Sequence, residues 1–208
     1  MIELVAFLGN HGKEYERNRH NAAWLLAERW PLFPLLSWQN KFKGRYAAID
    51  ALQLPRPPAS TTGVMGAEPP IGPSRIHVLM PLTYMNLSGD SVGEAAAFFK
   101  IPAERILVIH DELELPLGTA SLKFSGGLGG HNGLRSIKTR LGTADFWRFR
   151  IGIGRPNHDD ISGWVLSDFS NAEIPLLEQV LDAGGTALGK ILSYGPEFLL
   201  PEWNKKKF

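Results

Sequence analysis

The sequence predicts an α/β fold: a single-domain, three-layer globule in which helices flank a twisted, mixed and largely parallel sheet. Short apolar segments alternate along the chain with segments of helical spacing, as in proteins whose strands are joined by crossover helices. The length of 208 residues suits one domain, and a composition of 44% apolar and 21% charged residues is ordinary for a globular protein. We therefore expect residues 1–208 to fold as one domain.

The predicted strands are short apolar runs bounded by glycine, proline or charged residues. The first run, IELVAFL, ends at Gly9 and suits a buried strand that leads into a loop. Similar runs recur along the chain. The predicted strands are 2–8, 44–52, 75–81, 105–113 and 149–154.

The predicted helices carry apolar residues three or four positions apart. In the first of them, 22–30, Ala23, Leu26 and Trp30 follow this spacing and Pro31 ends the pattern. The other predicted helices are 91–99, 134–141 and 171–194.

Polar residues stand before the second and third predicted helices. Ser88 or Asp90 is available to cap the second helix, and Asn132 to cap the third. The segment PLTYMNLSG places Met85 and Asn86 just ahead of the second helix. Taken alone, a cap and a buried methionine are the simplest explanation of this pair.

Two segments fall outside the alternating pattern. Residues 55–74 are rich in proline, glycine and serine and are predicted to form a surface loop or a disordered insertion. Residues 204–208, NKKKF, form a basic tail, and basic termini are common and often disordered.

Composition excludes several classes of protein. No run of 18 apolar residues is present, so we expect no transmembrane helix. The first residues lack the basic flank of a signal peptide. The chain has no cysteine, which excludes disulfides, cysteine nucleophiles and thiolate metal sites and agrees with a cytoplasmic location.

Positive charge is concentrated in one part of the chain. The formal net charge is only +1, yet residues 123–155 hold seven basic residues against one acid, Asp145, an excess of six. A solvated helix face is the simplest explanation of such a run. The basic residues are Lys123, Arg135, Lys138, Arg140, Arg148, Arg150 and Arg155.

Polar clusters follow three predicted secondary-structure boundaries. Asn10 follows the first strand, and His110 and Asp111 lie near the end of the strand at 105–113. His131 and Asn132 follow a segment with many glycines. In open α/β sheets such residues meet at the carboxyl edge of the strands. The glycine segment, SGGLGGHNGLRS, has neither the Lys-Ser/Thr ending of a P-loop nor a GxGxxG register, so it does not match a phosphate-binding loop.

His20 and Asp111 form the candidate catalytic pair. An aspartate bound to Nδ1 of an imidazole fixes the tautomer that leaves Nε2 free to act as a base. A metal site is the alternative, because Asp111, Glu112 and Glu114 all offer hard oxygen ligands. No HxxE or HExxH helix spacing accompanies these acids, and a solvated turn also explains both glutamates.

Taken together, the motifs resemble the bacterial-type peptidyl-tRNA hydrolase family. The resemblance rests on five segments that occur in the family's order: LGNHGKEYERNRHNAAW, PLTYMNLSG, ILVIHDELELPLG, GGLGGHNGLRSI and FRIGIGRP. It extends from residue 3 into the C-terminal helix and is interrupted at 55–74. It implies a single α/β globule and a cytoplasmic, monomeric, metal-independent esterase that needs no cofactor. Such an enzyme cleaves the ester between a peptide, or an N-blocked amino acid, and the 3′ end of tRNA.

The resemblance also assigns roles to individual residues. His20 matches the catalytic histidine and Asp111 the acid that orients it. The residues that match the substrate cleft are Asn10, Asn86 and Asn132, with Tyr15 and Met85 as walls and Gly130 and His131 on a gating loop. Lys123 and Arg150 match RNA-contacting positions, with Arg135 and Lys138 nearby, so the basic run is interpreted as a track for the acceptor stem of peptidyl-tRNA.

The chain departs from the family pattern at several positions. Phe7 stands where glycine is usual and His11 where proline is usual, so we expect the loop that holds Asn10 to differ in shape. Ser121 replaces a basic residue, which predicts weaker RNA binding. Leu128 replaces a residue that is often polar, and Met80 one that is often basic.

Two other functions remain open from the sequence. One is a non-catalytic RNA-binding relative, like an organellar branch of the family that works in intron splicing. The other is a metal-dependent hydrolase that uses the acids of HDELE.

Overall fold

The structure, a computed structural model, describes residues 1–54, 73–157 and 159–208. Nearly all of the predicted insertion at 55–74 therefore lies outside the described residues. The strands are β1 (Leu4–Phe7), β2 (Gln39–Lys41), β3 (Gly44–Asp50), β4 (Arg75–Pro81), β5 (Ile106–Glu112), β6 (Thr119–Phe124), β7 (Trp147–Gly152) and β8 (Lys206–Lys207). The α-helices are α1 (Ala22–Arg29), α2 (Ser88–Phe99), α3 (Asn132–Leu141), α4 (Ile161–Val165), α5 (Ile174–Tyr194) and α6 (Pro196–Trp203).

All eight strands form one sheet in the order β2-β3-β4-β1-β5-β7-β6-β8. The strands β4, β1, β5 and β7 at its centre run parallel. Antiparallel strands complete both sides, β3 and β2 beside β4, and β6 and β8 beside β7. The predicted mixed sheet is confirmed, and its parallel part brings the carboxyl ends of the central strands to one edge.

The central strands are the ones the sequence predicts best, because helices cover both of their faces. Every residue of β1 and β5 is buried. Strands of this kind are nearly continuous apolar runs, which is the pattern seen at 2–8 and 105–113.

Two apolar layers lie on opposite faces of the sheet. The larger one joins alternate residues of the central strands, such as Ile109 and Phe149, to the apolar sides of α1, α5 and α6. The smaller one joins the other residues of the strands, such as Val108, to α2 and α3. Among the described residues, no helix is long and apolar enough to cross a membrane.

The helices α2 and α3 pack closely at Gly89. A Cβ atom at this position would stand 2.2 Å from the carbonyl oxygen of Ser136, so the approach requires glycine. The Ser136 hydroxyl also accepts a hydrogen bond from the Gly89 amide at 2.9 Å. This contact fixes the position of α3, whose first turn borders the functional site.

The predicted cap of α2 is wrong. The helix begins at Ser88 rather than at residue 91, and the Ser88 hydroxyl donates to the Met85 carbonyl oxygen at 2.8 Å. The Asp90 carboxylate instead binds Arg140 of α3 and lies 3.7 Å from Nζ of Lys43. Both polar side chains therefore tie α2 to its surroundings, and neither caps the first amides of the helix.

The cap of α3 is the residue before the predicted one. Asn132 is the first helical residue, and His131 is the N-cap. The Nδ1 atom of His131 accepts hydrogen bonds from the amides of Gly133 and Leu134 at 3.1 and 3.4 Å. Histidine is an uncommon N-cap, and its second ring nitrogen remains available for another contact.

Candidate active site

A cleft of about 530 Å³ opens at the carboxyl edge of the central strands. Its floor includes Asn10 after β1 and Asp111 in β5, as strand polarity predicts. The structure brings all the predicted catalytic and substrate-binding residues to its lining, which includes Asn10, Tyr15, His20, Met85, Asn86, Asp111, Gly130, His131 and Asn132.

His20 and Asp111 form a buried hydrogen-bonded pair. The Nδ1 atom of His20 lies 2.8 Å from Oδ1 of Asp111, and the two residues are 9% and 2% exposed. An ionised carboxylate can only accept, so Nδ1 carries the proton and donates it to Asp111. This tautomer leaves Nε2 as the atom that can take a proton from a ligand in the cleft.

The pair shifts both pKa values. Burial lowers the pKa of His20, but the charge of Asp111 and its hydrogen bond outweigh burial, and the net shift is upward. Burial raises the pKa of Asp111, but the neighbouring His20 and His131 hold it far below its usual range. Asp111 is therefore a carboxylate at any pH at which proteins usually work.

A second histidine binds the same carboxylate oxygen. The Nε2 atom of His131 lies 3.0 Å from Oδ1 of Asp111, while its Nδ1 accepts the amide hydrogens at the start of α3. His131 thus has its proton on Nε2. The sequence placed this residue on the gating loop and did not predict its contact with Asp111. A histidine directly before a helix, where Ser, Thr, Asp or Asn is usual, was the available signal.

His110 is close to this cluster but belongs to the core. It is 1% exposed, and its Nδ1 donates to the backbone oxygen of Asp111 at 2.6 Å. Burial, followed by the proximity of His131, lowers its pKa well below the usual value. His110 is therefore neutral and packs beneath the site.

The ligand atoms of His20, Asp111 and His131 lie within 4.8 Å of one another, a spacing at which three groups can hold a metal ion. Here the two imidazole nitrogens point their hydrogens at the carboxylate, at ordinary hydrogen-bond distances. The glutamates of the metal-site alternative are bound by arginines. Glu112 lies 3.4 Å from Arg150, and Glu114 accepts from Nε of Arg155 at 3.0 Å.

Asn10 is held by another asparagine. The backbone N–H of Asn10 donates to Oδ1 of Asn21 at 2.8 Å, and Nδ2 of Asn21 donates to the backbone carbonyl oxygen of Asn10 at 3.0 Å. The Asn10 side-chain oxygen accepts from the Met85 amide at 2.9 Å. Its side-chain NH₂ group is thus the part left for a ligand. The sequence pattern did not mark Asn21 as a site residue, and its position next to His20 was the only signal.

The unusual residues near Asn10 leave it in the cleft. Phe7 is fully buried and packs on Trp30 with ring centroids 6.5 Å apart. His11 is exposed and lies against the ring of Tyr84. Both side chains therefore find room away from the floor of the cleft.

The glycine loop, residues 125–131 between β6 and α3, is anchored by Arg148. This side chain is 1% exposed, and its two terminal nitrogens donate to the carbonyls of Gly127 at 2.6 Å and Gly126 at 2.9 Å. Gly129 and Gly130 have φ angles of 57° and 75°, in the left-handed region that favours glycine. The loop thus runs from a buried anchor to the rim of the cleft.

One wall of the cleft comes from α4, which the sequence did not predict. Ile161, Val165 and Leu166 supply apolar surface there. This segment is tied to the residue beside His20, since the guanidinium of Arg19 lies 3.7 Å from the ring centre of Trp164. The site therefore has one polar wall and one apolar wall.

The predicted RNA-binding residues are not among the described residues that line the cleft. Lys123 on β6 and Lys138 on α3 are exposed. Arg135 is exposed, and its Nη1 lies 3.2 Å from Oδ1 of Asn132. Arg150 is less free, because its guanidinium binds Glu112 and donates to the Ser121 hydroxyl at 3.0 Å.

The sequence model of the family described as peptidyl-tRNA hydrolase matches residues 4–208. The chain belongs to the peptidyl-tRNA hydrolase family. This confirms the resemblance of the motifs, and it covers the segments that supply His20, Asp111 and the cleft asparagines.

Named members of the peptidyl-tRNA hydrolase family are similar over nearly their whole length. The protein called peptidyl-tRNA hydrolase in Treponema pallidum (strain Nichols) is 46% identical over 213 residues, covering 99% of this chain and 96% of that one. That of Haemophilus influenzae (strain 86-028NP) is 45% identical over 185 residues, covering 87% and 85%. The crystal structure of peptidyl-tRNA hydrolase from Acinetobacter baumannii matches with a TM-score of 0.78 at 33% identity, covering 98% of this chain and 94% of that chain.

Proposed function

We propose that this chain hydrolyses the ester bond that joins a peptide, or an N-blocked amino acid, to the 3′ end of tRNA. The observation that carries the proposal is the hydrogen bond between His20 and Asp111 at the floor of an open cleft. Family membership supports the same reaction, since similar proteins bear the name peptidyl-tRNA hydrolase.

In this reaction His20 acts as a general base. Its Nε2 takes a proton from water as the water oxygen attacks the ester carbonyl, and Asp111 stabilises the imidazolium that forms. The same proton then passes to the ribose oxygen as the ester bond breaks, so the products are a carboxylic acid and a free tRNA 3′ end. General-base assistance of this kind contributes about 10²–10⁴-fold to the rate.

The polar wall binds the substrate. Amide groups both donate and accept hydrogen bonds, so Asn10, Asn86 and Asn132 suit the 3′-terminal adenosine, the peptide backbone and the attacking water. A donor facing the developing oxyanion contributes about 10²–10³-fold. The free NH₂ group of Asn10 is the strongest candidate, because its oxygen is already bound to the Met85 amide. Tyr15 and Met85 wall the cleft, and Gly130 and His131 of the glycine loop also line it.

The basic residues outside the cleft bind the RNA. Lys123, Arg135, Lys138 and Arg150 contact phosphates of the acceptor stem, which gives affinity without dependence on sequence. The enzyme works as a monomer, without metal or cofactor, in the cytoplasm where translation takes place.

The direct test is release of labelled N-acetyl-amino acid from tRNA by the wild type and by His20→Ala, with and without a chelator. We expect the wild type to release the label equally in both conditions and His20→Ala to be nearly inactive. Binding of the tRNA without cleavage by the wild type would support the non-catalytic RNA-binding alternative. Loss of activity with the chelator would support a metal-dependent hydrolase.

A further inference from the structure

The basic tail forms an ordered extension of the sheet. The strand β8 pairs antiparallel with β6, with Lys206 opposite Ala120 and Lys207 opposite Thr119. The turn before β8 is held by the Ser121 hydroxyl, which donates a hydrogen bond to the backbone carbonyl oxygen of Asn204 at 2.6 Å. Nothing in the sequence pattern predicted a strand here, because a two-residue strand is too short to show alternation.

The register shows which way each lysine of β8 points. Lys206 lies over the ring of Trp203 at 4.8 Å and is opposite Ala120, and both of these belong to the larger core layer. Successive residues of a strand point to opposite faces, so Lys207 projects from the other face of the sheet.

That other face is the one that carries the predicted RNA-binding residues. Along β6 it presents Thr119, Ser121 and Lys123, since residues two apart share a face. On β7, Arg150 is paired with Ser121 and donates to its hydroxyl at 3.0 Å, which places Arg150 on the same face. Lys207 therefore shares a face of the sheet with Lys123 and Arg150, which lie on the two neighbouring strands.

The basic residues near this edge of the sheet differ in how their charge is compensated. Lys206 forms an ion pair with Glu202, and Arg150 pairs with Glu112. Lys123, Lys205 and Lys207 are exposed, and within the described ranges none of them forms an ion pair. This edge of the sheet thus has a group of uncompensated positive charges beside a guanidinium that is already partly bound.

We propose that Lys205 and Lys207 bind phosphates of the tRNA acceptor stem and extend the surface formed by Lys123 and Arg150. This inference rests on the proposed function. It explains how the chain can bind RNA with Ser121 in the middle of β6, because the Ser121 side chain is fully buried under the tail that brings in the lysines. The ammonium group of a flexible lysine side chain can bind a phosphate, and such a contact does not depend on the base sequence.

The test compares a double variant, Lys205→Gln with Lys207→Gln, with a matched control, Lys100→Gln with Lys190→Gln. The control also removes two charges, from exposed residues at the end of α2 and in α5. KM is measured against salt concentration for N-acetyl-aminoacyl-tRNA, and for the N-acetyl-aminoacyl ester of adenosine, which has no acceptor stem. A third variant, Lys205→Arg with Lys207→Arg, keeps the charge.

We expect the glutamine variant to raise KM for the tRNA substrate roughly 3- to 10-fold and to reduce the slope of log KM against log salt by about one to two. Its kcat, and its activity on the adenosine ester, should match the wild type, as should all values for the control and the arginine variant.

The possible failures are distinguishable. A wild type that cleaves neither substrate overturns the proposed function itself. A wild type that cleaves both, with a glutamine variant of unchanged KM and salt slope, overturns only the role of β8. Equal losses on both substrates would show that β8 acts by holding the fold, which also overturns a phosphate contact.

Discussion

The imidazole rings of His20 and His131 lie 5.1 Å apart between their centroids, because both donate a hydrogen bond to the same oxygen of Asp111. One carboxylate thereby fixes the position of the segment before α1 relative to the first turn of α3. The arrangement couples the geometry of the base to the position of the glycine loop, since His131 is the last residue of that loop.

Replacing Asp111 with asparagine should remove the charge and disturb the tautomer while keeping the size of the side chain. We expect kcat for ester hydrolysis to fall about 10²–10⁴-fold with little change in KM, because the bound substrate does not need Asp111. Asp159→Asn, at an exposed acid, is the control and should behave as wild type. A kcat for Asp111→Asn within twofold of wild type would contradict the assigned role of Asp111.

The pH dependence of the wild type should follow the raised pKa of His20. The base works only when neutral, so kcat/KM should decline as pH falls through an inflection above the ordinary histidine value of 6.5. In Asp111→Asn the attraction is lost and burial remains, so the inflection should move to lower pH. Measured profiles with identical inflections in the two proteins would argue against this electrostatic account.

His131 has two tasks that different substitutions can separate. His131→Ala removes both the contact with Asp111 and the cap of α3, and we expect a loss of about 0.5–2 kcal/mol of stability together with lower kcat. His131→Asn keeps a good N-cap, so stability should recover while kcat stays low. Thermal unfolding and kcat are the two measurements. Full recovery of kcat with asparagine would mean that only the cap matters.

Arg148 should be needed for the shape of the glycine loop. Arg148→Lys keeps the charge but has one nitrogen in place of the fork that binds the carbonyls of Gly126 and Gly127. We expect faster hydrogen exchange across residues 125–131, a rise in KM of roughly 3- to 10-fold and a smaller change in kcat. Unchanged exchange in the loop would show that the anchor is dispensable.

The sequence predicts the centre of this fold better than its edges. β1, β5 and α5 are long or continuously apolar, so their periodicity is visible without the structure. β2, β6, β8, α4 and α6 were missed. β2, β8 and α4 have only two to five residues, and β6 carries polar residues such as Ser121, which binds the distant Asn204. Such tertiary contacts leave no local pattern.

For the candidate site, motifs identified the residues but not their connections. Every predicted substrate-binding residue reaches the cleft, although the roles remain predictions. The contact of His131 with Asp111, the clamp of Asn21 on Asn10 and the apolar wall at Val165 all depend on how separate segments meet. Sequence position alone carries no such information.

The outermost strands have a consequence for self-association. β2 has three residues and β8 has two, and each pairs with less than half of a longer antiparallel strand, three of the seven residues of β3 and two of the six of β6. Short, lysine-bearing outer strands are poor templates for a second molecule, because few hydrogen bonds can form and like charges meet. A chain shortened before Lys206 would free the backbone groups of Thr119 and Ala120, and we expect it to self-associate more readily along the edge of β6.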